Sequence, residues 1–135
     1  MAGFWVYCVQ KNIDRSGGAG LPGAMGESMH LSKQIESMYD DAVRIRQDLH
    51  RIPEIGFQLR DTQAYVLREL KQCGPDRIET PAVCGVKAVF FAKDAETTIA
   101  FRADMDGIHN DEANDVPYCS QHPGNMHGCG HDGHM

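Results

Sequence analysis

The apolar period of this 135-residue chain changes once, and that change restricts the folds open to it. Leu31, Ile35, Met38, Ala42, Ile45 and Leu49 recur at spacings of three and four, which lines one face of a helix. Pro53 cannot continue such a helix, and Pro53-Glu54-Ile55-Gly56 reads as a turn. A second helix is expected from Asp61 or Thr62, either of which carries an oxygen able to cap it. It runs through Gln63, Val66, Leu67, Leu70 and Cys73 and stops at Gly74-Pro75. The segments Val83–Phe91 and Thr97–Phe101 are instead β-branched and aromatic, with Lys93-Asp94-Ala95-Glu96 as a hairpin connection. Two helices, then a β-hairpin of a mixed sheet, then a long loop predict an α/β domain.

The flanks look different. Ser16-Gly17-Gly18-Ala19-Gly20-Leu21-Pro22-Gly23 has linker chemistry, so residues 1–30 are expected to form a flexible extension and residues 31–135 the domain. Met25 or Met29 offers an alternative start. The apolar run Phe4–Val9 is short and lacks a basic flank, which suits neither a signal peptide nor a membrane span. Five cysteines at irregular spacing (Cys8, Cys73, Cys84, Cys119 and Cys129) read as free thiols of a reducing cytoplasm. A net charge of -6 argues against nucleic acid as a partner, since phosphate binding asks for a basic face.

Charge placement says more than the total. No Lys or Arg follows Arg102, whereas Asp104, Asp106, Asp111, Glu112, Asp115 and Asp132 all do, a segment that suits either a cation, rather than an anion, or simply a solvated acidic loop. Between Met105 and Met126 the chain reads as loop, and loops of that length are usually functional or disordered. Cys129-Gly130-His131 then sets a thiol and an imidazole at i and i+2, which project to one side of an extended backbone. That pair suits zinc and tolerates cobalt, nickel or manganese, but two ligands do not hold a catalytic metal. An incidental glycine-histidine tail is the plainer alternative. Asp104 and Asp106 are likewise i and i+2, and read either as carboxylates supporting a metal-bound histidine or as ordinary turn residues. His109, His122, His127 and His134 are each open to the same choice. His50, ending the first helix, is explained by the helix dipole, and Cys119 by simple burial.

The order of the segments points further. "RQDLHRIPEIGF" (Arg46–Phe57) precedes "CGVKAVF" (Cys84–Phe90), "TIAFRADMDGI" (Thr98–Ile108), "VPYCS" (Val116–Ser120) and "MHGCGHDGHM" (Met126–Met135). Over about residues 31–135 this series resembles the start of the zinc-dependent amidohydrolases. These include hippurate hydrolase, N-acyl-amino-acid hydrolases and indole-acetyl-amino-acid hydrolases, a branch of the aminoacylase and carboxypeptidase G2-like metallopeptidases. The resemblance implies a two-domain, homodimeric enzyme whose substrate is a small N-acyl amino acid. A divalent metal pair, zinc first and manganese, nickel or cobalt as alternatives, activates water against the amide.

It maps the metal ligands onto Cys129 and His131 and a supporting catalytic carboxylate onto Asp106. Asp104 stands where more distant relatives carry a metal-binding histidine, while Asp132 and His134 match motif positions without a defined role. Gly107-Ile108-His109-Asn110 departs from the family's Ala-Leu-Pro-Ile run. The family's general-base glutamate, its further Glu and His ligands and its dimerisation domain are expected beyond residue 135. The chain is therefore expected to be an inactive truncated form. A small non-catalytic zinc-binding module and an interaction fragment with open strand edges are the alternative classes.

Overall fold

The computed structural model describes the backbone of residues 5–10 and all of residues 33–93 and 97–135. Leu31, the glycine-rich linker and most of the Lys93–Glu96 connection lie outside the described residues. Helix α1, Tyr39–His50, continues from a helical stretch at 33–37 across a break at Met38. Its apolar stripe is only partly used. Ile45 and Leu49 reach the core, whereas Ile35 and Met38 stay more than half exposed. The helix closes at Arg51, whose N–H bonds back to Gln47 and Leu49, and Pro53 follows.

Helix α2 spans Arg60–Gln72, as the period predicts, but its cap is not local. The N-cap residue is Leu59, which has no side-chain oxygen. Neither Asp61 nor Thr62 takes that role. The Glu54 carboxylate, in the preceding turn, instead accepts the backbone N–H of Thr62 at 2.7 Å and of Asp61 at 3.2 Å. A carboxylate at that end satisfies open N–H groups and meets the positive pole of the helix. Thr62 is fully buried, with its hydroxyl 3.4 Å from the Ile52 carbonyl.

Four strands make the main sheet: β1 (Trp5–Gln10), β2 (Arg77–Glu79), β3 (Val86–Phe90) and β4 (Thr98–Phe101), in the order β2-β3-β1-β4. β1 runs parallel to β3 and antiparallel to β4, and β2 is antiparallel to β3. The sheet is mixed and α/β, as expected. Two details of the expectation are corrected. β3 and β4 do not pair as a hairpin, because β1 lies between them, and a connection over residues 91–97 is long enough to cross two strand spacings of about 4.8 Å each. Residues 5–10, assigned to the extension, form that intervening strand; their β-branched and aromatic content is what a strand uses.

Leu49, Leu59, Tyr65, Val66 and Leu70 from the helical layer pack with Cys84, Val86, Ala88, Ala103 and Met105 to make the core. The predicted loop contains a small two-stranded sheet, β5 (Ile108–His109) with β6 (Asn125–Met126), and a final helical turn α3, His131–His134. Gly107 joins this region to the rest. Its N–H bonds the Glu54 carbonyl at 2.7 Å, and a Cβ there would lie 2.9 Å from both the Met126 oxygen and the Pro53 side chain. Only glycine lets the strand end, the Pro53 turn and β6 approach so closely. No described helix is long and apolar enough to cross a membrane.

Replacing Glu54 with Ala removes the side-chain acceptors that Asp61 and Thr62 use at the start of α2. We expect a loss of about 1 kcal/mol in a urea titration, the usual size of a lost helix cap. An unchanged midpoint would show that the turn does not cap the helix.

Candidate metal centre and its buried support

The Cys129-Gly130-His131 triplet is not extended, as the spacing argument assumed. Gly130 adopts a left-handed conformation (φ 76°) and caps the start of α3, so the chain turns between the two residues. A residue with a Cβ adopts that conformation only at a cost, which makes glycine the fitting choice. Cys129 is exposed and its thiol is free, as are Cys73, Cys84 and Cys119 among the described cysteines.

His131 is oriented by Asp106. Its Nδ1 lies 2.8 Å from the Asp106 carbonyl oxygen and 3.2 Å from the carboxylate Oδ1. Both partners are acceptors, so Nδ1 carries the proton and Nε2 is left as a lone-pair donor. That tautomer is the one a metal-ligating histidine needs. Asp104, paired with Arg102 at 2.7 Å, lines a cleft of about 340 Å³ with Ala103, His131 and His134. Asp104 and the final histidines therefore share one cleft, which Asp106 supports through His131, while Cys129 is not among the residues lining it. Among the described residues, however, no three His, Cys, Asp or Glu side chains converge into a complete metal site.

Beneath the turn lies a charged network that sequence reasoning missed. His50 is 5 % exposed and sits between two carboxylates, with Nδ1 2.7 Å from Asp132 Oδ2 and Nε2 2.9 Å from Glu112 Oε1. Carboxylates only accept, so both bonds are strongest with both ring nitrogens protonated. Arg46, one turn earlier on α1, adds a 2.8 Å bond from Nε to the same Asp132 oxygen. Its guanidinium covers the Tyr118 ring at 5.2 Å, and Tyr118 meets the His50 ring edge-on at 5.6 Å. The His50 ring and the half-exposed Arg46 guanidinium thus share one buried carboxylate, and a second buried carboxylate meets the far side of the ring. The helix dipole alone does not account for His50.

Burial pushes the Glu112 carboxyl up, but hydrogen bonds from His50, the Ser120 N–H and Asn114 outweigh it and bring the group to about 2. His127 is also lowered, but by burial. Its burial disfavours the charged form, Asp132 opposes that, and His50 and His131 reinforce it, leaving it at about 4. Both His127 ring nitrogens and Asp132 Oδ1 are buried with no hydrogen-bond partner among the described residues. Cys119, expected as a simple buried residue, is half-buried and donates to the Asn114 carbonyl at 2.7 Å. Nothing in the period or spacing marks Glu112 as buried. The one available signal is an acid enclosed in a loop otherwise rich in turn residues.

Truncating Glu112 to Ala leaves His50 with one carboxylate, and we expect a loss of about 3 kcal/mol, the scale for breaking a buried pair. Glu112 is depressed from its ordinary 4.5 to about 2. Its contribution is therefore complete above pH 4.5 and is lost as pH falls towards 2. Acid titration of the wild-type chain should show stability lost over that window, with a flatter profile for Glu112→Ala. Parallel profiles would contradict the assignment.

Residues 100–135, which carry Asp104, Asp106, Cys129 and His131, match peptidase family M20/M25/M40. The N-acetyldiaminopimelate deacetylase of Bacillus subtilis (strain 168) is 44% identical over 97 residues, covering 71% of this chain and 26% of that protein. The enzyme of the same name from Bacillus velezensis is 46% identical over 94 residues, covering 69% and 25%. A solved structure from methicillin-resistant Staphylococcus aureus, assigned as an aminohydrolase, superposes with a TM-score of 0.62 at 26% identity, over 78% of this chain and 28% of that one. The chain spans about a quarter of the length of the curated relatives it matches. In its motif, its fold and these relatives the chain is similar to the M20/M25/M40 peptidase family.

Proposed function

We propose that residues 33–135 form the first part of the catalytic domain of a metal-dependent amidohydrolase acting on N-acyl amino acids. Cys129 and His131 are its first metal ligands and Asp106 holds His131 in place. The observation that carries this reading is the Asp106–His131 pair on the residues matched to the family, with the free thiol of Cys129 two positions before His131 in the chain. The names of the deacetylase relatives support acetyl as the acyl group and the amine of an amino acid as the leaving group.

A divalent cation bound there supplies a Lewis acid for the amide carbonyl and makes water a nucleophile at neutral pH. The chain's own residues prepare for it. Asp106 keeps the proton on His131 Nδ1, so Nε2 stays available. The left-handed Gly130 turns the chain between thiol and imidazole. Arg46 and His50 fix Asp132, which sits next to His131 in the chain and cannot move without disturbing it. Two ligands and a supporting carboxylate do not complete a site, so hydrolysis requires further ligands and a general base from outside the described residues. On this reading the 135-residue chain alone does not turn over substrate. It is also the reason to favour a partial enzyme over a self-sufficient zinc module.

Calorimetric zinc titration tests the ligand assignment. Cys129→Ala and His131→Ala should each weaken binding at this centre by more than tenfold, and Asp106→Asn by about 10- to 100-fold, the usual range for a group supporting a metal-bound histidine. Affinity indifferent to all three would reject it. Amine release from N-acetyldiaminopimelate by the zinc- or manganese-loaded chain, lost in Cys129→Ala, would reject the proposal that the chain is inactive alone.

A further inference from the structure

Away from the cleft beside His131, the β5–β6 ribbon and the Pro53 turn enclose a second pocket of about 380 Å³. It is lined by Glu54, Ile55, Gln58, His109, His122 and Asn125, and shares no residue with that cleft. His109 belongs to the Gly107–Asn110 stretch that departs from the family pattern. It is paired across the ribbon with Asn125, which puts their side chains on one face.

The hydrogen bonds around Pro53 settle the state of both imidazoles. The Pro53 carbonyl oxygen can only accept, and it receives Asn125 Nδ2 at 3.2 Å and His122 Nδ1 at 3.1 Å. His122 therefore carries its proton on Nδ1, and the Asn125 amide is oriented with Oδ1 pointing the other way. Oδ1 is also only an acceptor, and it lies 3.0 Å from His109 Nδ1, so His109 carries its proton on Nδ1 as well. Both rings are left with an Nε2 lone pair, and neither Nε2 has a hydrogen-bond partner among the described residues. An imidazole whose Nδ1–H is anchored on a carbonyl or amide oxygen is the arrangement found behind metal-ligating histidines. The surroundings favour positive charge: Glu54 lines the wall, and no Lys or Arg follows Arg102 in the sequence.

We propose that His109 and His122 form a separate two-imidazole site for a divalent transition-metal ion in the pocket at Pro53. Neutral imidazoles with no thiolate suit nickel, copper and zinc and exclude calcium or magnesium as preferred occupants. Water completes the coordination, since no third His, Cys, Asp or Glu converges there among the described residues. This goes beyond the amidohydrolase reading and does not depend on it. It uses neither Cys129 nor His131.

Nickel is the probe. In a Cys129→Ala/His131→Ala chain, calorimetric titration with Ni²⁺ at pH 7.5 should still show one bound ion per chain. His109→Ala and His122→Ala in that background should each weaken it at least tenfold. His109 is exposed, so its substitution should leave the far-ultraviolet circular dichroism unchanged. Long-range ¹H–¹⁵N correlation spectra of the wild-type imidazoles give an independent reading. Both should carry the proton on Nδ1, and both Nε2 resonances should move on adding Ni²⁺. A proton on Nε2 of either ring, no binding once Cys129 and His131 are removed, or binding indifferent to the two histidines would each overturn the proposal. Zinc affinity indifferent to Cys129→Ala and His131→Ala, with nickel binding retained here, would instead count against the amidohydrolase reading alone.

Discussion

The His50 imidazole, clasped between Glu112 and Asp132, is the contact on which the rest of the site depends. It joins the end of α1 to residues 62 and 82 positions further along the chain, through bonds of 2.9 and 2.7 Å in a nearly dry environment. Single ion pairs at a surface contribute little, because solvent screens them and their side chains lose freedom. Here the pair is buried, Arg46 supplies a second cation, and Ser120 and Asn114 occupy further lone pairs of Glu112. Such a network resists rearrangement, because pulling its cationic partners away strands the buried carboxylates of Glu112 and Asp132 without water. The turn carrying Cys129 and His131 is built on it, one residue from Asp132.

A division of labour follows between the two sides of the turn. From below, Arg46 and His50 hold Asp132 and so fix where α3 begins. From the strand side, Asp106 fixes the tautomer of His131, with Gly107 anchored to the Pro53 turn and unable to accept a larger residue. The remaining buried groups without partners, His127 and one oxygen of Asp132, lie in this same region.

Much of this was legible in the residues, and the limits have physical causes. The helices ending at Pro53 and Gly74 followed from period and breakers, because backbone sterics act locally. The class of the sheet followed from β-branched content, but its strand order did not, since any strand of suitable composition can pair there. The cap of α2 came from Glu54 rather than from Asp61 or Thr62, because a turn can deliver a carboxylate as well as a neighbour can. Spacing marked Cys129, His131 and Asp106 as candidates, and the resemblance ranked them. The His50 network was invisible, because burial of Glu112 and Asp132 arises only when three distant segments meet. A histidine at a helix end already had a sufficient local explanation, and that explanation concealed its role.

On the proposed reading, the turn built on this network offers a thiolate and an imidazole to one metal ion. X-ray absorption at the zinc edge, on the chain loaded with one molar equivalent of zinc, measures that coordination. One sulfur at about 2.3 Å together with imidazole nitrogen at about 2.0 Å is expected. The sulfur shell should disappear in Cys129→Ser. A coordination shell made only of nitrogen and oxygen in the wild-type chain would contradict it.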